Sequence, residues 1–178
     1  MSNTIPVVIL LFACTSLFGQ KKDSLPTNAK ITIKSQRTAM DIYQDSLYQW
    51  RIKQTKLDNI YIPSDLNDCM KQLDILMEED TKTTFKNFKE EEVDRKTHNT
   101  LGRWIDIKWK VSEGSRISYY FNLNGVPHPD YMIGIILISY HRHLHGKVLG
   151  FKDLVMQFRE IWKKKQREKA ESMINKSK

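Results

Sequence analysis

Cysteine is nearly missing from this chain of 178 residues: Cys14 and Cys69 are the only two, so no internal disulfide framework organises the fold. Missing too is an apolar run of the roughly 20 residues that a bilayer-spanning helix needs. The longest, Ile5 to Phe18, has 14 residues, the length of a signal-peptide core. No internal repeat or low-complexity block is present. The chain also lacks a phosphate-binding loop, a dinucleotide fingerprint, a Gly-x-Ser-x-Gly elbow and a His-Glu-x-x-His pair, which removes the common sequence signatures of nucleotide, hydrolase and zinc-protease chemistry. No catalytic residue is assigned on sequence grounds, and no cofactor is expected.

What is present begins with the leader. Residues 1–19 read as a signal peptide, although MSNTIP carries no Lys or Arg. Two processing routes compete: cleavage after Gly19, or lipid attachment at Cys14 behind Leu11-Phe12-Ala13, where Phe12 is large for a lipobox. Either route predicts an exported protein, periplasmic, anchored to the outer membrane or secreted; a buried first helix of a cytoplasmic protein is the simpler alternative. Residues 20–59 read as a linker in which Met40, Tyr43, Leu47 and Trp50 mark an amphipathic helix, and Ile31 and Ile33 a short strand.

A net charge of +8 suggests nucleic acid until it is located. From Lys163 to Lys178 seven Lys or Arg face only Glu168 and Glu171, so most of the excess sits in one basic C-terminal tail. Cations at a helix C-terminus also suit its dipole. For an exported protein the partners to expect are an anionic membrane surface, through residues 163–178, or a protein or envelope component, rather than nucleic acid.

Residues 60–162 carry the domain. The fold class read here is all-α, an irregular orthogonal bundle around a central buried helix at 129–145. Pro129 opens that helix, Gly146 closes it, and the apolar residues from Met132 to Ile138 cannot share one face at 100° per residue, so it must be covered on most sides. Around it, Ser64 precedes a helix with Leu66, Cys69, Met70 and Leu73 on one face and Asp65 and Asp68 as partners of its N-terminal dipole. Glu79 to Asn99 is mostly polar, with Phe85 and Phe88 as anchors. Leu101, Trp104, Ile105 and Trp109 form the next helical face, Ser115 to Asn124 a short helix, and Phe151 to Trp162 the cleanest periodicity of the chain, with fraying expected beyond it. The four tryptophans fall on apolar faces and read as core.

Chemistry concentrates at the ends of the central helix. His141 and His145, four residues apart, share a face and could hold one metal ion, with a third ligand drawn from His98, His128 or Asp130; solvated histidines at a helix end are the plainer reading. Arg116 in the first turn of its helix is disfavoured by the dipole and so predicts a carboxylate partner, for which Asp130 is the candidate. Cys69 reads as a small core residue. The binding candidates are therefore Arg116, His128, Asp130, His141 and Arg142.

The pieces Ile62-Pro63, Asp65-Leu66, Asp68-Cys69, Trp104-Ile105, Trp109, Gly114-Ser115-Arg116, Tyr120-Phe121, His128-Pro129-Asp130, Gly134-Ile135-Ile136-Leu137 and Tyr140-His141-Arg142 resemble a bacterial domain-of-unknown-function family, the one numbered 6794, over about residues 60–162. The resemblance implies a small helical domain, exported, of a Bacteroidota-like type. It implies no activity. The chain departs from the family pattern at Lys110-Val111-Ser112, where Gly and Trp are expected, and at Tyr131, where a second acid is usual. The leading reading is a non-catalytic exported domain that binds a protein or envelope component through the polar end of the central helix. The alternatives are a metal-dependent or histidine-assisted hydrolase using His141 and His145, and a membrane-surface protein using the basic C-terminal helix.

Overall fold

The computed structural model describes residues 38–176, with side chains as far as Ile174; the leader, the choice at Cys14 and the strand expected at Ile31 and Ile33 lie outside the described residues. Thr38 starts helix α1 (Ala39–Arg51) through a capping box in which its side chain accepts from the Asp41 N–H and the Asp41 carboxylate accepts from the Thr38 N–H. This helix leans on the domain through Tyr48, whose ring covers Gly114, and through Arg51, whose Nε donates to the Gly114 carbonyl at 3.3 Å. Met40, Ile42, Tyr43 and Trp50 stay exposed.

The domain opens on half of a hairpin, so the all-α expectation becomes mainly α. Lys56–Leu57 (β1) pairs antiparallel with Ile60–Tyr61 (β2). Asp58 and Asn59 make the turn at φ of 49° and 62°, a left-handed pair that Asp and Asn tolerate and that matches strand twist. Such short pairings have no periodicity to betray them.

The helices then follow as α2 (Leu66–Leu76), α3 (Glu79–Lys86), α4 (Glu90–Thr97), a π-helical turn (His98–Gly102), α5 (Arg103–Trp109), α6 (Arg116–Leu123), α7 (Pro129–Leu144) and α8 (Phe151–Lys176). Asp65 caps α2 by accepting from the Asp68 N–H at 2.9 Å. The central helix is covered as its composition demands: α2 to α6, the π turn and α8 all pack on α7, and every residue from Met132 to Leu137 is buried, as are Ser139, Tyr140 and His141. Two close approaches depend on missing Cβ atoms. A Cβ at Gly102 would come within 2.8 Å of Ile133 Cγ2, and one at Gly134 within 2.8 Å of Phe158 Cζ. The π turn and α8 can therefore lie directly on α7.

Two sequence expectations change in α8. Leu154, Val155 and Phe158 are buried, but Trp162 is 39% exposed and stands beside the core rather than in it. The helix continues past it to Lys176 instead of fraying. Lys, Arg, Gln, Glu, Ala and Met dominate that stretch, all good helix formers, and Lys163 Nζ meets Glu160 at 2.7 Å one turn back. Trp50 is likewise exposed and Trp104 only half-buried; of the four tryptophans Trp109 alone is fully enclosed.

Candidate functional site at the start of the central helix

The polar C-terminal end of α7, the surface favoured by the sequence, is built into the fold. His141 is buried, and its Nε2 donates to the Phe88 carbonyl at 2.9 Å. Arg142 places Nε and Nη2 on Glu90 Oε1 at 2.8 and 2.6 Å and Nη1 on the Leu149 carbonyl at 2.9 Å. That guanidinium hydrogen bond holds the Glu90 carboxyl below its ordinary pKa against the opposing effect of burial, helped by the charges of Arg142 and Lys147. His143 Nε2 meets Asp74 at 2.7 Å and His145 Nε2 donates to the Lys86 carbonyl at 3.0 Å. These side chains fasten α7 to α2, α3 and α4.

The same contacts bear on the histidine pair proposed for a metal. The rings of His141 and His145 do lie together, 4.6 Å between centroids, but both Nε2 atoms face backbone carbonyls. Among the described residues no group of three or more His, Cys, Asp and Glu is arranged to hold a metal ion. Burial and the nearby Asp68 and Asp65 carboxylates push the Cys69 thiol well above its ordinary pKa, so it is a protonated core group.

Arg116 does find a carboxylate, though a different one from that expected. Its Nη2 lies 3.8 Å from Asp68 Oδ2, its Nε donates to the Ile62 carbonyl at 2.6 Å, and its guanidinium sits over the Tyr61 ring at 5.0 Å. The N-terminus of α6 faces the hairpin and the start of α2, whereas Asp130 opens α7 beside the π turn. An Arg116 to Asp130 pair is not formed.

His128 and Asp130 are brought together with groups whose spacing was overlooked. Asp94, one turn before His98 on α4, accepts from His98 Nδ1 at 2.7 Å, which leaves Nε2 facing Asp130 Oδ1 at 3.9 Å. From the other side His128 Nδ1 stands 3.7 Å from Asp130 Oδ2. The result is an alternating row of carboxylate, imidazole, carboxylate, imidazole. It is held by the π turn, which begins at His98 and is tied to α4 through the Thr100 hydroxyl on the Thr97 carbonyl at 3.1 Å; such turns recur at functional sites. Asp94-x-x-x-His98 was visible in the sequence as a same-face helical pair.

This row forms one wall of a cleft of about 420 Å³. Tyr131 and Phe158, with ring centroids 5.5 Å apart, make the floor, and Trp162, Lys165 and Gln166 of α8 make the opposite wall. Lys165 Nζ lies 5.7 Å from the Tyr131 ring. Asp130 and His128 are 65% and 49% exposed, and neither has a partner within hydrogen-bond reach in either contact that joins them. The cleft thus offers unused acceptors and donors next to an exposed indole. A second depression of about 700 Å³, mostly apolar, runs between α3 and the α4 to α5 segment, past Met77, Phe88, Leu101 and Trp104.

Comparison with known proteins finds a family match for the middle of the chain and nothing for its chemistry. Residues 62–144 match the sequence model of a family described as a domain of unknown function, DUF6794, which is the resemblance drawn from the motifs. No curated protein and no solved structure matches the chain. The matched segment supplies the His98, His128 and Asp130 wall of the cleft; the Trp162 wall lies outside it.

Proposed function

We propose that the DUF6794 domain of this chain is a non-catalytic binding module, recognising a protein or envelope component at the cleft that opens beside His128 and Asp130. The observation that carries this reading is the contrast between the two ends of α7. At the C-terminal end His141, Arg142, His143 and His145 are each hydrogen-bonded within the domain. At the N-terminal end Asp130, His128 and Trp162 stand exposed around one concavity, and convergent polar groups beside aromatic surface are the usual make-up of a recognition site. No Ser, Thr or Cys lines the cleft, so it holds no nucleophile of the serine- or cysteine-hydrolase type.

The test is capture from envelope extract with immobilised wild-type chain, His128→Ala/Asp130→Asn chain, and Glu91→Gln chain as a control on another surface. The expected result is one or more components retained by the wild type and control and lost from the double variant, whose melting is unchanged. Components that survive the double variant and disappear only on changes at Arg142 would return the site to the other end of the helix.

A second reading is favoured by the Asp94 and His98 pair. A carboxylate that fixes one imidazole nitrogen leaves the other free to take a proton from water in the cleft, the arrangement of a histidine-assisted hydrolase. This moves that reading from His141 and His145 to His98. Turnover of an ester or glycoside substrate that falls sharply in Asp94→Asn and His98→Ala alike would replace the binding module with an enzyme.

A further inference from the structure

We infer that the C-terminal half of α8 is a basic arm that adsorbs to anionic lipid surfaces. The charge of the chain is segregated. Residues 38–162 contain 17 Lys and Arg against 18 Asp and Glu, a nearly neutral body, while residues 163–178 contain seven against two. In the fold this basic stretch is a helical extension: α8 runs to Lys176, and every side chain from Lys163 to Ile174 is exposed. At about 1.5 Å per residue the helix continues roughly 20 Å beyond Trp162.

The distribution of residues around the arm fits a surface better than a groove. At 100° per residue Trp162, Gln166, Ala170 and Met173 fall on one narrow stripe, with Trp162 39% and Met173 59% exposed. Lys163 and Arg167 flank that stripe on one side and Lys169 on the other. Long basic side chains beside an apolar edge can reach headgroups while their stems cover the edge, the layout of an interfacial helix. Lys164 lies on the far face, with Glu168 at 3.9 Å, and Lys165 falls beside Lys169, its Nζ 5.7 Å from the Tyr131 ring. Each Lys or Arg held near an anionic leaflet strengthens adsorption about fivefold, so the arm carries enough charge for reversible adsorption at moderate ionic strength. Its small apolar stripe is too narrow to bind neutral lipid alone. The stripe begins at Trp162 and Gln166, which also line the cleft, but the inference rests on the basic residues and on Met173 and does not depend on the binding reading.

The test is co-sedimentation of the full chain with vesicles of phosphatidylcholine alone and of phosphatidylcholine with phosphatidylglycerol. The expected result is salt-sensitive binding to the anionic vesicles only. Lys163→Glu/Arg167→Glu/Lys169→Glu should lower the partition coefficient by on the order of a hundredfold or more, with melting unchanged because these side chains are outside the core; Met173→Ser should weaken it by about threefold. Equal binding to neutral vesicles, or binding that the triple variant retains, would overturn the proposal. So would tighter binding to a DNA duplex than to the anionic vesicles, which would make the arm a nucleic-acid contact.

Discussion

Arg142 grips one oxygen of Glu90 with two nitrogens, at 2.8 and 2.6 Å, and so ties the last turn of α7 to the first turn of α4. Both side chains are less than one-third exposed, which makes this a partly desolvated, charge-assisted contact rather than a loose surface pair. Arg142→Ala also leaves the Leu149 carbonyl without its donor. The expected loss is about 2–3 kcal/mol of unfolding free energy, measured by urea denaturation.

The same pair has a pH signature. The folded state holds the Glu90 carboxyl below its unfolded pKa, first through the Arg142 hydrogen bond and then through the charges of Arg142 and Lys147, against burial. A depressed carboxylate pKa contributes stability above the unfolded value, and that contribution disappears as pH falls through the folded one. Glu90→Gln should therefore cost stability at neutral pH and show a shallower loss between mildly acidic and strongly acidic solution than wild type. Identical acid limbs would show that the ion pair is not coupled to folding.

The glycine of the Gly-Ile-Ile-Leu piece makes a packing prediction. A Cβ at Gly134 would approach Phe158 Cζ at 2.8 Å and Asp94 Cγ at 3.3 Å, closer than those atoms can tolerate without moving. Alanine is the better helix former by about 1 kcal/mol, so on propensity alone Gly134→Ala would stabilise. The clash with a buried ring reverses the sign, and a net loss of about 1–2 kcal/mol is expected. Phe158→Leu in the same chain should recover part of it, a non-additivity that urea denaturation of the four-member cycle measures.

The central helix was legible because a continuous apolar run bounded by Pro129 and Gly146 has one physical solution, burial on all sides. The cleft was only half legible. His128 and Asp130 stood out as a motif, and Asp94 and His98 are a same-face pair in sequence, but that the two pairs meet depends on the packing of α4 and the π turn against α7, and the Trp162 wall was masked by the regular spacing that made it look like core. The contacts at the polar end of α7 were hidden for a different reason. Histidine and arginine at a helix terminus look the same in sequence whether water or a backbone carbonyl receives them; only the fold brings the Phe88 carbonyl to His141 and Glu90 to Arg142.

The partner of Arg116 is the sharpest point at which sequence and structure part, and it can be tested by coupling. A basic residue at the start of a helix needs a reason, and the sequence reading offered Asp130. In the fold Asp68 Oδ2 already accepts from the Tyr61 hydroxyl at 2.8 Å and the Ser64 N–H at 2.9 Å, while Arg116 covers the same tyrosine ring. Arg116, Tyr61 and Asp68 thus form one joint between the hairpin, α2 and α6. Arg116 and Asp68 are each 17% exposed, so removing either leaves the other charge poorly solvated. A double-mutant cycle of Arg116→Gln with Asp68→Asn should give a coupling of about 1 kcal/mol or more, whereas the cycle with Asp130→Asn should be additive to within about 0.5 kcal/mol. Coupling to Asp130 instead would mean that α6 and the mouth of the cleft move together, and that Arg116 belongs to the binding site after all.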